Sequence, residues 1–426
     1  MKKNICMFVW NHFTNDARVM RECTALSEKG YDVDLICIHD PSKADLKMHE
    51  VINEHFHVYR VKRYPKWLEI AQSLLKLLLN KKYLLLIAFV AWAICTFYLP
   101  FVMMIITLLS FVILKTKIKT VIVRGSIIGR MILKGYNKKY DFYHSNDLNT
   151  LPQGFICSKI RLKKKKLVYD SHEVQTSRTG YDSAIYGKME SYLLKFVDQM
   201  IVENHTRAKY NEDLYGFYPK VVHNYPFVQI NKEEKINLHE LLAIPRNEKI
   251  LLYQGGIQTG RGLENLVKAA PQFIDGTLVF IGDGRIKTDL VKLTEDMGLT
   301  DKVKFLPKVP LAELPKYTRN AYMGFQVLNN VCFNHYSASS NKLFEYIMAE
   351  VPVVSCDFPE IKKVVCGEEV GITVDSHDPN SIADGVNKLL LNPELRSQFS
   401  QNCRQARNKY NWDKEKEALL EIYQAL

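Results

Sequence analysis

Three stretches of this sequence gather side chains able to hold an anion. Gln254-Gly255-Gly256-Ile257-Gln258-Thr259-Gly260-Arg261-Gly262 follows an apolar run, Lys249–Tyr253, and opens a helical stretch at Leu263. Glycines let backbone amides approach a phosphate, and a helix N-terminus adds a favourable dipole. Arg261 then offers a guanidinium to the same group, although the spacing also suits an ordinary Gly-rich turn. Gly282-Asp283-Gly284, after Thr277–Ile281, repeats the pattern more weakly and needs no ligand as a turn. In the third stretch, Tyr336 to Tyr346, small hydroxyl residues give way to a helix near Asn341, where Ser340 and Asn341 can cap and free amides can hold a diphosphate. Lys342 and Glu345 lie one turn apart on one face, so an ammonium can meet phosphate while a carboxylate accepts from ribose hydroxyls. The alternative is a surface ion pair on a capped helix.

A second group of polar residues lies in the first half of the chain. Tyr169-Asp170-Ser171-His172-Glu173 follows an apolar run, and open α/β sheets bind ligands beyond the carboxyl ends of their strands. His172 and Glu173 are candidates there, and a lone histidine is equally at home as a structural residue. Asp16 and Arg18, at the first strand-to-helix turn, read either as ligand contacts or as a helix cap and a surface charge. The nine cysteines, among them Cys6, Cys37, Cys157 and Cys366, show no Cys-x-x-Cys spacing. They read as buried thiols in a reducing compartment, so no zinc or other metal site is expected. The first apolar stretch ends at Trp10, too short for a secretory signal, and a cytoplasmic placement is expected.

The elements that must position these residues follow from periodicity. Asn4–Trp10, a helical stretch from Asp16 to Lys29 stopped by Gly30, and Asp32–Ile38 form a strand, helix, strand unit. The pattern resumes with a strand at Thr120–Val123, a helix to Leu133, and strands at Phe142-Tyr143, Leu167–Tyr169 and Gln199–Val202. After residue 245, short apolar runs at 249–253, 277–281, 303–306, 323–327, 351–355 and 371–374 alternate with helical stretches, the mark of a parallel, doubly wound α/β sheet. The expected organisation is a first domain over 1–225, a linker over 226–245, a second domain over 246–410 and a terminal helix over 411–426.

One segment departs from this plan. Leu84 to Leu114 contains no Asp, Glu, Lys, Arg or His over 31 residues. It is longer than the roughly 20 residues of one helical span, and Pro100 sits near its middle. Lys81 and Lys82 flank one end and Lys115, Lys117 and Lys119 the other, and cationic flanks mark the cytoplasmic side of a membrane. Because both ends must return to one sheet, the expectation is a membrane-embedded hairpin turning near Pro100. A single tilted span and a soluble apolar insertion are the alternatives. The surrounding region is basic: Arg60 to Lys166 holds 21 Lys or Arg against Glu69, Asp141 and Asp147, and this +18 exceeds the +12 of the whole chain. An anionic membrane is the partner this implies, with no nucleic acid.

Taken in order, these motifs resemble retaining glycosyltransferases of family 4. The resemblance rests on Asn15-Asp16-Ala17-Arg18-Val19 with Gly30-Tyr31, on Tyr169 to Glu173, on Gly255 to Gly262, on Ile281 to Gly284 and on Asn341-Lys342-Leu343-Phe344-Glu345-Tyr346 leading to Val351-Pro352-Val353-Val354. It implies the α/β GT-B fold, two Rossmann-like domains facing a cleft, here with an apolar hairpin in the first. It further implies a nucleotide-sugar donor in the second domain, held by Gly255, Gly256, Arg261, Gly282, Asp283, Ser340, Asn341, Lys342 and Glu345, and an acceptor near Asp16, Arg18, His172 and Glu173. His172, Arg261 and Glu345 take the catalytic positions, and no metal cofactor is implied. Arg261 and Lys342 would stabilise the leaving diphosphate, and Glu345 matches the second carboxylate of the family's Glu-x7-Glu motif.

Two positions depart from the family. Ser337 stands eight residues before Glu345, where many members carry the first Glu, and Gly256 occupies the place of a second basic phosphate ligand. With the apolar segment, the pattern points to sugar transfer onto a lipid-linked acceptor of polyprenyl diphosphate type at the cytoplasmic face of the inner membrane, in surface polysaccharide or glycan assembly. A catalytically silent membrane scaffold and a nucleotide-sugar epimerase of the same fold are the competing readings.

Overall fold

A computed structural model describes residues 3–14, 16–43, 45–174, 184–228 and 236–426, without the side chains of 112–115. Asn15 and part of the expected linker, 229–235, lie outside the described residues. The chain contains two sheets. The first comprises β1 (Asn4–Phe8), β2 (Asp32–Ile38), β3 (His49–Asn53), β4 (Phe56–Val61), β5 (Phe142–Asn146), β6 (Lys166–Ser171), β7 (Gln199–Val202) and β8 (Lys220–Val221). Their order is β3-β4-β2-β1-β5-β6-β7-β8. The second comprises β9 (Ile250–Gln254), β10 (Thr277–Ile281), β11 (Val303–Leu306), β12 (Met323–Gln326), β13 (Val353–Cys356) and β14 (Gly371–Val374), ordered β11-β10-β9-β12-β13-β14. All pairings in the second sheet are parallel, as strands joined by helical crossovers require. By compactness the chain divides into residues 1–170 with 195–198, and residues 171–194 with 199–426.

In the first sheet the apolar runs at 4–10 and 32–38 become β1 and β2, with the intervening helix at Ala17–Glu28 capped by the Asp16 carboxylate on the Val19 amide (3.1 Å). The strand expected at Thr120–Val123 is instead part of a helix, Ile118–Tyr136. Its buried positions Val123, Ile127, Met131 and Gly135 recur every fourth residue, a helical period that outweighs the β-branched residues at its start. The antiparallel pair β3–β4 adds an edge that periodicity did not reveal.

The apolar run folds as two helices, Lys82–Tyr98 and Pro100–Lys115, which contact each other and break at Leu99. A third helix, Lys66–Asn80, precedes them at a bend of 115°. Among the described residues no single helix is long and apolar enough to cross a membrane.

The four inner strands of the second sheet, β10, β9, β12 and β13, are buried on both faces, and the edge strands β11 and β14 are half-buried. Along β9, Ile250 and Leu252 enter one core while Leu251 and Tyr253 enter the other, the alternation of a pleated strand. β9 therefore presents Tyr253 and Gln254 to opposite sides at its carboxyl end, where the glycine loop begins.

Candidate functional site

The loop after β9 is fixed by its neighbours. The Gly255 amide donates to the Ile281 carbonyl (2.9 Å), the Ile257 amide to Asp283 (3.1 Å) and the Asn329 amide to the Gly260 carbonyl (2.9 Å). Two glycines are required by space as well as conformation. A Cβ on Gly282 would lie 1.9 Å from the Gly255 carbonyl oxygen, and Gly262, at φ +69°, would place one 2.0 Å from the Val327 oxygen. The loops after β9 and β10 thus interlock at the carboxyl edge of the sheet, where parallel α/β sheets bind ligands.

Into this edge comes the helix Asn341–Met348. Its apolar face, Leu343, Phe344 and Ile347, anchors it in the core, and the Tyr346 hydroxyl donates to the Leu252 carbonyl (2.9 Å) while accepting from the Gln254 amide (3.2 Å). Glu345 is half-buried, and its carboxylate accepts from Gln254 Nε2 (2.7 Å); Gln254 Oε1 in turn accepts from the Thr318 hydroxyl (2.7 Å). This chain of bonds orients the carboxylate through Gln254.

Lys342 is only 7% exposed, yet no carboxylate among the described residues lies within ion-pair distance of it. Its ammonium sits 4.3 Å from the centre of the Tyr253 ring and donates to the Tyr253 hydroxyl (3.1 Å), which donates to the Gly256 carbonyl (2.8 Å). Burial and the neighbouring Arg261 guanidinium push the Lys342 amine well below its usual value, against a smaller pull from Glu345. Burial pushes Tyr253 up to about 12. Arg261 is half-exposed and likewise has no carboxylate partner among the described residues. Two basic side chains with no carboxylate in ion-pair contact among the described residues, beside a glycine loop and an oriented carboxylate, are groups able to hold a diphosphate joined to a hydroxylated group.

His335 belongs to this corner and was not singled out from the sequence. Its ring packs where a Cβ on Gly260 would meet Cε1 at 2.8 Å, and Nδ1 lies 3.2 Å from the Asn329 carbonyl oxygen. Burial, then Arg261 and Lys342, lower its basicity, against the backbone bonds that raise it. Asp283, expected to contact the donor, is exposed and bonded to the Lys287 ammonium (2.8 Å) and the Lys308 amide (2.9 Å). Ser340 precedes the helix without a side-chain cap bond, and Asn341 and Gly256 are exposed.

Ser337 is fully buried. Its hydroxyl accepts from Arg207 Nε (3.2 Å), and its carbonyl accepts from Asn204 Nδ2 (2.8 Å). Arg207, itself buried, also donates to the carbonyls of His172 and Asn334. The position that holds a carboxylate in many relatives is therefore tied into the backbone that carries His172. Nothing in the sequence signals the partnership of residues 130 positions apart. The His172 and Glu173 side chains are half-buried.

Of the remaining acceptor-side candidates, Asp16 is the helix cap described above and also accepts from Asn11 Nδ2 (2.7 Å). Arg18 is buried, pairing with both oxygens of Asp170 (2.7 and 2.9 Å from Nη2) and with Glu22 (3.0 Å). His144 Nε2 lies 4.0 Å from each of these carboxylates. Glu22, His144 and Asp170 are close enough together to hold a metal ion, but the Arg18 guanidinium supplies positive charge to both carboxylates.

Residues 234–406 match the family model described as Glycosyl transferases group 1, and the fold is of the GT-B type, as in the solved structures it resembles. Sucrose-phosphate synthase from Thermosynechococcus elongatus is similar over 100% of this chain and 99% of its own, at TM-score 0.72 and 15% identity. Anabaena HepE in complex with UDP is similar over 100% of both chains, at TM-score 0.70 and 14% identity. Two curated sequences are similar to part of the chain. An uncharacterized glycosyltransferase of Methanocaldococcus jannaschii is 28% identical over 46% of this chain and 50% of its own length. A D-inositol 3-phosphate glycosyltransferase of Acidothermus cellulolyticus is 24% identical over 55% and 54%. The chain spans about half the length of these curated relatives.

Proposed function

We propose that this protein is a retaining glycosyltransferase that moves a hexosyl or N-acetylhexosaminyl group from a nucleotide sugar to a lipid-linked acceptor of polyprenyl diphosphate type, in surface polysaccharide or glycan assembly. It works at the cytoplasmic face of the inner membrane, held there by residues 84–114 as a hairpin. The observation that carries the donor half of this reading is the pair Arg261 and Lys342, two basic groups without carboxylate partners among the described residues, beside the carboxylate of Glu345. UDP bound to the similar HepE supports a nucleotide ligand.

In the reaction, the bond between the anomeric carbon and the donor phosphate oxygen breaks with its electron pair going to the diphosphate. Arg261 and Lys342 stabilise that charge in place of a metal. The acceptor hydroxyl bonds to the same face of the sugar and its proton passes to the departing phosphate oxygen, so no protein nucleophile is needed. Glu345 holds the ribose, and His172 and Glu173 provide positioning and polarity. The apolar helices with their basic flanks support a lipid-linked acceptor.

The test is turnover of nucleotide sugars with long-chain and short-chain polyprenyl diphosphate acceptors, the anomeric configuration of the product being read by NMR. Retention is expected, and an inverted product overturns the mechanism. Replacing residues 84–114 by a short polar linker is expected to release the protein from membranes and to lower long-chain turnover far more than short-chain turnover. The naming of relatives for D-inositol 3-phosphate favours a second reading, a soluble phosphorylated polyol acceptor; activity on D-inositol 3-phosphate but on no lipid acceptor would select it.

A further inference from the structure

The three helices between Lys66 and Lys115 differ from one another in a way that fixes how they meet a bilayer. Helix Lys82–Tyr98 is apolar on every side, and none of its residues is buried in the protein. A helix that is apolar all round belongs in a core or in lipid. A protein partner or a second copy of the chain would cover one face and leave the others in water, whereas hydrocarbon covers all of them. Polar side chains in the body of the pair are satisfied internally: Trp92 Nε1 donates to the Thr107 hydroxyl (3.1 Å), and the Thr96 hydroxyl donates to the Trp92 carbonyl (2.8 Å). Lipid demands this, because it offers no hydrogen bonds.

Helix Lys66–Asn80 is different. It carries Lys66, Glu69 and Lys76 among Trp67, Ile70, Leu74 and Leu79, all four of which are exposed, and only Leu68 is buried. Mixed composition of this kind suits the headgroup boundary. The bend of 115° to the next helix sets the two axes far from parallel, and Lys81 and Lys82 stand at the corner.

We infer that Lys66–Asn80 lies in the plane of the cytoplasmic leaflet while Lys82–Tyr98 and Pro100–Lys115 dip into the bilayer and return, so that the anchor is monotopic. This rests on the membrane reading above and adds its geometry. Helix Lys82–Tyr98 has 17 residues, about 25 Å at ~1.5 Å per residue, short of the ~30 Å hydrocarbon thickness. Its tip, with Phe97, Tyr98 and Phe101 each more than 70% exposed, therefore stays inside the membrane. Trp92 is ten residues above Lys82, about 15 Å deep by the same rise, close to the bilayer midplane. Trp67 stays at the surface.

The experiment uses the full chain with vesicles of equal parts phosphatidylcholine and phosphatidylglycerol, brominated either near the glycerol or near the chain end. Quenching by chain-end bromine is expected to be largely lost in Trp92→Phe and kept in Trp67→Phe, with the reverse for bromine near the glycerol. If the protein does not float with the vesicles, the membrane reading itself falls. If it floats but Trp92 is quenched only by shallow bromine, the helix pair lies flat and the inference is overturned. Labelling of a Leu99→Cys variant by an impermeant maleimide from the far side of the membrane would also overturn it, by showing a full crossing.

Discussion

Replacing Gln254 by Met tests whether Glu345 is a ligand held in readiness. The side chain is fully buried and its Nε2 makes a 2.7 Å bond to Glu345 Oε2. Met has similar length and volume, so packing changes little, and the Thr318 hydroxyl keeps its bond to the Leu314 carbonyl (2.9 Å). What disappears is one hydrogen bond to a charged group, worth about 1.5–3 kcal/mol. Glu345 is half-exposed and water can replace part of it, so the lower end applies: about 1.5 kcal/mol, or roughly tenfold in the Kd for UDP. Calorimetric titration with UDP reads that change, and urea unfolding checks that the fold survives. The cycle with Glu345→Ala is decisive. If Gln254 acts only through Glu345, the double variant binds UDP no more weakly than Glu345→Ala alone. An unchanged Kd in Gln254→Met, or full additivity in the cycle, would refute the reasoning.

Four further outcomes follow from the same site. Because burial keeps the Lys342 amine well below its usual value and a bound diphosphate favours the ammonium, UDP binding should take up a proton and weaken with rising pH, by up to about tenfold per unit in the window between the two states; calorimetry in buffers of different ionisation heat measures the uptake, which Lys342→Arg should abolish. In the free protein the sign is opposite: the unfolded chain binds a proton the native site lacks, so Lys342 makes stability rise with pH from its depressed value toward the ordinary lysine range, and a pH series of urea unfolding that flattens in Lys342→Met would show it. Gly262→Ala, at φ +69° with a Cβ 2.0 Å from the Val327 oxygen, should cost at least about 2 kcal/mol by urea unfolding and weaken UDP binding with it. Ser337→Glu should lower Tm without improving sugar transfer, because the new carboxylate enters a fully buried place beside Arg207; a gain in kcat/KM for the donor would sink that account.

The parts of this molecule that were legible in the sequence are those whose signal is local. Asp32–Ile38 and Thr277–Ile281 occupy the residues their apolar runs indicate, because a strand buried on both faces needs an unbroken apolar run. Lys342 and Glu345 fall one turn apart on the helix Asn341–Met348, as their local spacing indicates. The edge strand β3, with exposed His49, Val51 and Ile52, carries no such run and was missed. Thr120–Val123 misled because four residues are too few to distinguish a two-residue period from a helical one. Contacts between distant segments left no trace at all. Arg18 reads as a surface charge until β6 brings Asp170 beside it, 152 residues away. Ser337 reads as a lost catalytic group until Arg207 meets it.

The treatment of buried charge distinguishes structural from functional residues here more sharply than position in the fold does. In the first sheet's domain Arg18 meets Glu22 and Asp170, the Arg60 guanidinium meets Glu50 (2.9 Å) and Asp34 accepts from the Lys138 ammonium (2.7 Å) and the Tyr140 hydroxyl (2.6 Å). Each buried charge is offset where it lies, because leaving one uncompensated costs several kcal/mol. The edge that carries Lys342 breaks this rule among the described residues. Lys342 is buried against a phenol, Arg261 stands beside it, and Glu345 is held away by Gln254 instead of closing an ion pair with the lysine. Shifting the amine toward neutrality lowers the cost but does not remove it. On the proposed reading a bound diphosphate would supply the negative charge that Lys342 and Arg261 lack among the described residues, with Glu345 beside it to accept from hydroxyls.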